Sequence, residues 1–237
     1  MKKKAWVIAG LCVLAVALTA GAVFYFGFFR PRQQEQQLHK QQVQQYRAEK
    51  MDRYLKENAE YEDYEVEVAF IGDSLTDLYD LEKYYPQYIT ANRGVGGDTT
   101  FDLEKRLPES VYALKPKVVV MLIGANNIET MLQNYESILI GLRDNLPETK
   151  VVLLSLTAMG GEHWGAKNQL AAYNNVTIKL LAEKYGYTYI DLFSPLYDPT
   201  IGEVCEGYTI DGGHFTHEGY TVLTQQITPV LEELLGK

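Results

Sequence analysis

Two short runs carry residue types that could act on one another. Ser74 stands in Ile71-Gly72-Asp73-Ser74-Leu75, and His214 stands in Asp211-Gly212-Gly213-His214. A serine hydroxyl is a weak nucleophile at neutral pH and needs a base within hydrogen-bond reach. Histidine suits that task because its pKa lies near working pH. A tight Gly-Gly turn can fold the Asp211 carboxylate onto the Nδ1–H of His214, which fixes the tautomer and leaves Nε2 for Ser74. The oxyanion formed by attack on a carbonyl needs preorganised donors. Gly97 offers a backbone N–H unshielded by a side chain, Asn126 a side-chain NH2, and Ser74 its own N–H at a helix start. Each feature also has an ordinary reading. The serine is a helix N-cap, Asp211 to His214 a glycine turn, Gly97 a turn residue and Asn126 a cap. Their joint occurrence in four loops is what points to chemistry.

Those loops need a frame that brings them together. Apolar runs predict strands near 66–71, 88–92, 117–123, 150–156 and 187–192, and helical stretches near 75–84, 99–107, 128–145, 166–185 and 217–235. The runs KVVVMLIG (117–124) and KVVLLSL (150–156) are almost wholly apolar, as parallel strands covered on both faces are. Strands alternating with helices imply a doubly wound α/β sheet. Gly72-Asp73-Ser74, Asn92 to Thr99 and Gly124-Ala125-Asn126-Asn127 each follow a strand, so they converge at the C-terminal edge where open α/β sheets bind ligands. Asp211 to His214 precedes the last helix and can fold over the same edge.

In these four blocks the chain resembles the SGNH/GDSL serine hydrolases over about 66–232. Gly72-Asp73-Ser74-Leu75 looks like the family's first block, with Ser74 as nucleophile. Asn92 to Thr99 looks like the second, with Gly97 as an oxyanion N–H. Gly124-Ala125-Asn126-Asn127 looks like the third, with Asn126 as side-chain donor. Asp211-x-x-His214 looks like the fifth, carrying acid and base. Asn127 departs from the Asp that often ends the third block; this form resembles the platelet-activating-factor acetylhydrolase-like branch. The resemblance implies a three-layer α/β/α flavodoxin-like domain with a five-stranded parallel sheet, acyl-ester cleavage on lipids or carbohydrates, no cofactor and no metal.

Other chemistry-bearing residues receive structural readings. Asp73 is expected to hydrogen-bond locally, Asp98 to cap the next helix and Asp191 to close the fifth strand. His163, in MGGEHWGAKN beside Trp164, is expected on a solvent-facing loop rather than in an acyl pocket. Asp211, His214, His217 and Glu218 could form a zinc site, but the Ser–His reading explains more of the same residues.

Of 22 basic and 31 acidic residues, five basic and no acidic ones lie in 1–32, so the remainder carries 17 basic residues and a net charge of −14. Such acidity argues against nucleic acid as a partner. Cys12 and Cys205 build no disulfide framework. Residues 5–29 are 25 uncharged residues flanked by Lys2, Lys3, Lys4, Arg30 and Arg32. About 20 apolar residues cross a bilayer, so a single membrane-spanning anchor with the domain outside the cytoplasm is expected. A signal peptide cleaved near Ala20-Gly21-Ala22 is the rival, opposed by the length of the apolar run. The Gln-rich residues 31–62 predict a helical stalk. The expected organisation is therefore an anchor (1–30), a stalk (31–62) and a hydrolase domain (63–237). The expected activity is a membrane-anchored serine esterase acting on short acyl, such as acetyl, esters. Acyl transfer, a lysophospholipase or thioesterase activity, and a non-catalytic binding protein on a hydrolase fold are the alternatives.

Overall fold

In a computed structural model, positions 14, 17–19, 21, 23–25, 27 and 30–237 are described. Most of the anchor expected over 5–29 lies outside them. Among the described residues no helix is long and apolar enough to cross a membrane. Residues 1–49 and 50–237 form two compact units.

The second unit is built on five parallel strands: β1 (Val68–Gly72), β2 (Thr90–Gly94), β3 (Val118–Leu122), β4 (Lys150–Leu154) and β5 (Thr188–Ile190). Their order is β2-β1-β3-β4-β5. The register runs Val68 beside Thr90 and Val118, and Val118 beside Lys150. Alternate residues point to opposite faces. Ala69, Ile71, Val119, Met121, Val151 and Leu153 enter one core, while Val68, Phe70, Val118, Val120, Val152 and Leu154 enter the other. Helices α2 (Thr100–Leu107), α3 (Leu132–Asn145) and α4 (Asn168–Tyr185) cover the first face through Leu103, Ile138 and Ile178. Helix α5 (His217–Leu235) covers the second through Leu223, Ile227 and Leu231, beside Tyr79 and Tyr85. Both faces are thus sealed by helices, as the near-continuous apolar strands require. The chain reverses its direction of travel across the sheet between β1 and β3, which opens a crevice at their C-terminal ends.

Several boundaries differ from expectation. The predicted helix 75–84 is two separate turns, Ser74–Asp77 and Leu81–Tyr84, because Asp80 starts the second by accepting a hydrogen bond from Lys83 N at 3.2 Å. Helix α3 begins at Leu132 rather than 128, since Ala125–Asn127 form a tight 3-10 turn. A short hairpin, β6 (Tyr197–Asp198) with β7 (Glu203–Val204), has no counterpart in the sequence reading.

The stalk is a helix, α1 (Arg30–Asn58), but its last turns from Lys50 belong to the second unit, well before residue 63. Tyr54 is wholly buried and donates its hydroxyl to Gly94 O at 2.6 Å. The physical cause is Arg93, buried in the edge strand β2: its guanidinium donates to Glu57 Oε2 (2.5 Å) and Asn58 Oδ1 (2.9 Å). A buried cation must be paired, and the pairing groups lie on α1.

Candidate active site

The turn that carries Ser74 starts where β1 stops. Gly72 is obligatory there, because a Cβ would stand 2.1 Å from Leu122 O on β3. Asp73 caps the turn, its Oδ1 accepting from Leu75 N at 3.0 Å. It is buried, and burial, reinforced by the nearby Asp98 charge, pushes its carboxyl up to about 7. Its expected structural role agrees with these contacts. Ser74 opens the turn, and its Oγ lies 3.0 Å from His214 Nε2 across 140 residues of sequence.

On the far side of the imidazole, His214 Nδ1 lies 2.8 Å from Asp211 Oδ2. The other carboxylate oxygen accepts the N–H groups of His214 (2.8 Å) and Gly213 (3.0 Å). These bonds hold the Asp211 carboxyl down at about 2, the His214 backbone contact contributing most. The turn docks on a neighbouring loop: Gly160 N donates to Gly212 O at 2.8 Å, and a Cβ on Gly212 would meet Gly160 O at 1.9 Å.

The donors expected for an oxyanion line the same cavity. Gly97 has φ +77°, and a Cβ there would meet nothing within 4 Å. Glycine is therefore required by backbone conformation rather than by crowding, and Gly97 lines the cavity. Asn126 sits in the turn after β3 and spends one amide N–H on Asp98 O at 2.9 Å. A carboxamide carries two donors, so the second is available to a ligand while the first sets its orientation. Asn127 braces the loop from behind, accepting from Thr100 N (3.2 Å) and donating to Thr100 Oγ1 (2.9 Å).

Asp98 is not a helix cap, contrary to expectation. Thr99 caps α2 in a capping box with Asp102. Asp98 is completely buried and pairs with Arg106 Nε at 2.6 Å. The same guanidinium donates to Gly72 O (2.8 Å), Arg93 O (2.9 Å) and Ser110 Oγ (2.8 Å). Arg106 thereby joins the ends of β1 and β2 to the loop that carries Asp98 and Gly97, a role unforeseen from sequence because an arginine on a helix ordinarily reads as a solvated residue.

Ser74, Gly97, Asn126 and His214 line a cavity of about 220 Å³ together with Ile123, Leu156, Met159 and Trp164. His163 points to solvent, as expected, but its neighbour Trp164 lines the cavity. Asp191 accepts from Phe193 N and Ser194 N beyond β5, a structural role as expected. His217 is directed away from Asp211 and His214, its Nδ1 hydrogen-bonded to Tyr84 and lying 3.2 Å from Lys83 Nζ. Among the described residues no three His, Cys, Asp or Glu side chains gather to hold a metal ion.

A hydroxyl touching an imidazole that touches a carboxylate, beside convergent N–H donors and an apolar wall, is equipped for acyl transfer from an ester carbonyl. The family profile described as "GDSL-like Lipase/Acylhydrolase family" matches residues 70–222. Human platelet-activating factor acetylhydrolase IB subunit alpha2 is 25% identical over 207 residues, covering 78% of this chain and 86% of its own. The bovine alpha1 subunit is 26% identical over 186 residues, covering 75% and 80%. Among solved structures, a GDSL-like lipase from Bacteroides thetaiotaomicron aligns with TM-score 0.68 at 24% identity, covering 77% of this chain and 97% of that one. An acetylxylan esterase from Geobacillus stearothermophilus aligns with TM-score 0.56 at 20% identity, covering 71% and 95%.

Proposed function

The chain belongs to the GDSL-like lipase/acylhydrolase family and is a serine ester hydrolase; we propose that it works through Ser74, His214 and Asp211 on short acyl esters. The observation that carries the assignment is the hydrogen-bonded chain from Ser74 Oγ to His214 to Asp211. The Asp211 carboxylate accepts Nδ1–H, so Nε2 carries the lone pair that takes the Ser74 proton as Oγ attacks the ester carbonyl. The tetrahedral oxyanion is held by the N–H groups of Ser74 and Gly97 and the Asn126 amide. The imidazolium, stabilised by Asp211, returns the proton to the leaving alcohol. Water, deprotonated by His214, then cleaves the acyl-enzyme.

The cavity supports a short acyl group. A volume of about 220 Å³ walled by Met159 and Trp164 is below the roughly 300–1,000 Å³ of pockets that enclose drug-sized ligands. It suits an acetyl group better than a long chain. The acetylhydrolase names of the curated relatives support the same choice. The 25 uncharged residues at 5–29, with lysines before them, support a membrane anchor with the catalytic unit outside the cytoplasm. Envelope glycan acetyl esters would be accessible from there.

The test uses the full chain in detergent with 4-nitrophenyl esters of two to twelve acyl carbons. Ser74→Ala is expected to abolish turnover and fluorophosphonate labelling, and acetate to be the best acyl group. Full esterase activity in folded Ser74→Ala would refute the nucleophile assignment. A maximum at long chains would replace acetyl hydrolysis with lipase chemistry.

A further inference from the structure

Asp77 closes the helical turn that Ser74 opens. Its Oδ2 accepts the N–H of Gly96, the residue before Gly97, at 3.1 Å. Its Oδ1 forms an ion pair with the Lys50 ammonium on α1. The two side chains are only 13% and 12% exposed. One carboxylate therefore touches the nucleophile turn, the oxyanion loop and the end of α1.

A second set of contacts runs parallel to the first. Tyr54 donates to Gly94 O at the other end of the same loop. The Arg93 guanidinium lies 4.6 Å from the centre of the Tyr54 ring and continues to Glu57 and Asn58. Lys50, Tyr54, Glu57 and Asn58 recur at the spacing of one helix face. Gly94 has no room to yield, since a Cβ there would stand 2.1 Å from Asp77 N. The family profile begins at residue 70, so all four α1 residues lie outside the matched region while the groups they hold lie within it.

We propose that Lys50 is a positioning residue for the oxyanion hole: through Asp77 it fixes where the Gly97 N–H stands relative to Ser74. This rests on the assignment of Ser74 and Gly97 made above. Without its ammonium partner, the largely buried Asp77 carboxylate turns toward water and releases Gly96 N–H. The neighbouring Gly97 donor then loses its register with the developing oxyanion. Oxyanion donors act in the transition state rather than on the bound ester, so the loss belongs in kcat. Misplacement by about 1 Å costs on the order of 10- to 100-fold.

The experiment uses the full chain in detergent with 4-nitrophenyl acetate and a boronic acid, whose anionic tetrahedral serine adduct places a boron-bound oxygen in the oxyanion site. Lys50→Met is expected to lower kcat about 10- to 100-fold, to leave KM within about twofold and to weaken boronate binding by a similar factor. Lys50→Arg recovers most of both. Lys56→Ala, which removes an exposed partner of Asp52 on the same helix, leaves both unchanged. Tyr54→Phe keeps the buried ring and removes only the bond to Gly94, so it supplies the same readout should Lys50→Met not fold; it too is expected to lower kcat and boronate affinity. Unchanged kcat and boronate affinity in the folded variants, or a loss carried by KM alone, would overturn the proposal. If Ser74→Ala is inactive while those variants are normal, only the Lys50 role fails. An active Ser74→Ala removes the underlying assignment instead.

Discussion

At the scale of single residues, contacts separate two carboxyl groups that the sequence places equally close to chemistry. Asp211 is hydrogen-bonded as an anion and held down at about 2. Its contribution to stability is complete above the ordinary carboxylate range and is lost only as pH falls toward 2. Asp73 is driven the other way, to about 7, by burial. Between pH 4 and 7 the folded protein keeps a proton there that the unfolded chain releases, so stability falls as pH rises through that window. Asp73→Asn preserves the acceptor for Leu75 N and removes this dependence. Its Tm relative to the wild type is therefore expected to rise from pH 4.5 to pH 7.5 in scanning calorimetry; a constant difference would contradict the buried-acid assignment. The meeting of Ser74, His214 and Asp211 was legible in the sequence because turn chemistry and strand-end position are local signals. Trp164 was not, because a cavity wall depends on how distant loops pack. Asp98 was misread because its partner, Arg106, lies two helical turns away and gives no local sign.

At the scale of elements, the strands were readable from apolar runs, since a parallel sheet covered on both faces leaves an almost uninterrupted apolar signature. The places where strand and helix limits shifted, around Asp80 and Ala125–Asn127, are turns set by side-chain caps that the apolar pattern does not report. The tie between elements is Arg106 on α2, joining Gly72 O, Arg93 O and Asp98. Arg106→Met keeps the stem but leaves Asp98 as a buried anion without its cation. Breaking a buried pair in this way costs about 3–5 kcal/mol. Urea unfolding is the appropriate measurement, and a loss below about 1 kcal/mol, the size of an exposed pair, would mean that Arg106 is not the clasp of these strand ends.

At the scale of the molecule, sequence composition suggested a stalk separate from the domain, but the compact unit begins at Lys50. The mixed polar face of α1 concealed this, because its docking groups are Lys50, Tyr54, Glu57 and Asn58 rather than an apolar stripe. The anchor expected at 5–29 sets a cellular prediction. In cells producing the full chain, the protein is expected to remain in the membrane pellet after alkaline carbonate washing. A membrane-impermeant fluorophosphonate is expected to label it in intact cells. Release by carbonate would refute the anchor; labelling only after lysis would refute the orientation.

His214 and Asp211 sit three positions apart in one turn, whereas Ser74, whose hydroxyl meets the imidazole, is 140 residues upstream of His214. During refolding, the first contact closes a tiny loop and the second closes one spanning most of the sheet, so the two form on different clocks. Catalytic competence on dilution from denaturant therefore reports completion of long-range assembly, and its recovery lags behind the return of helical circular dichroism.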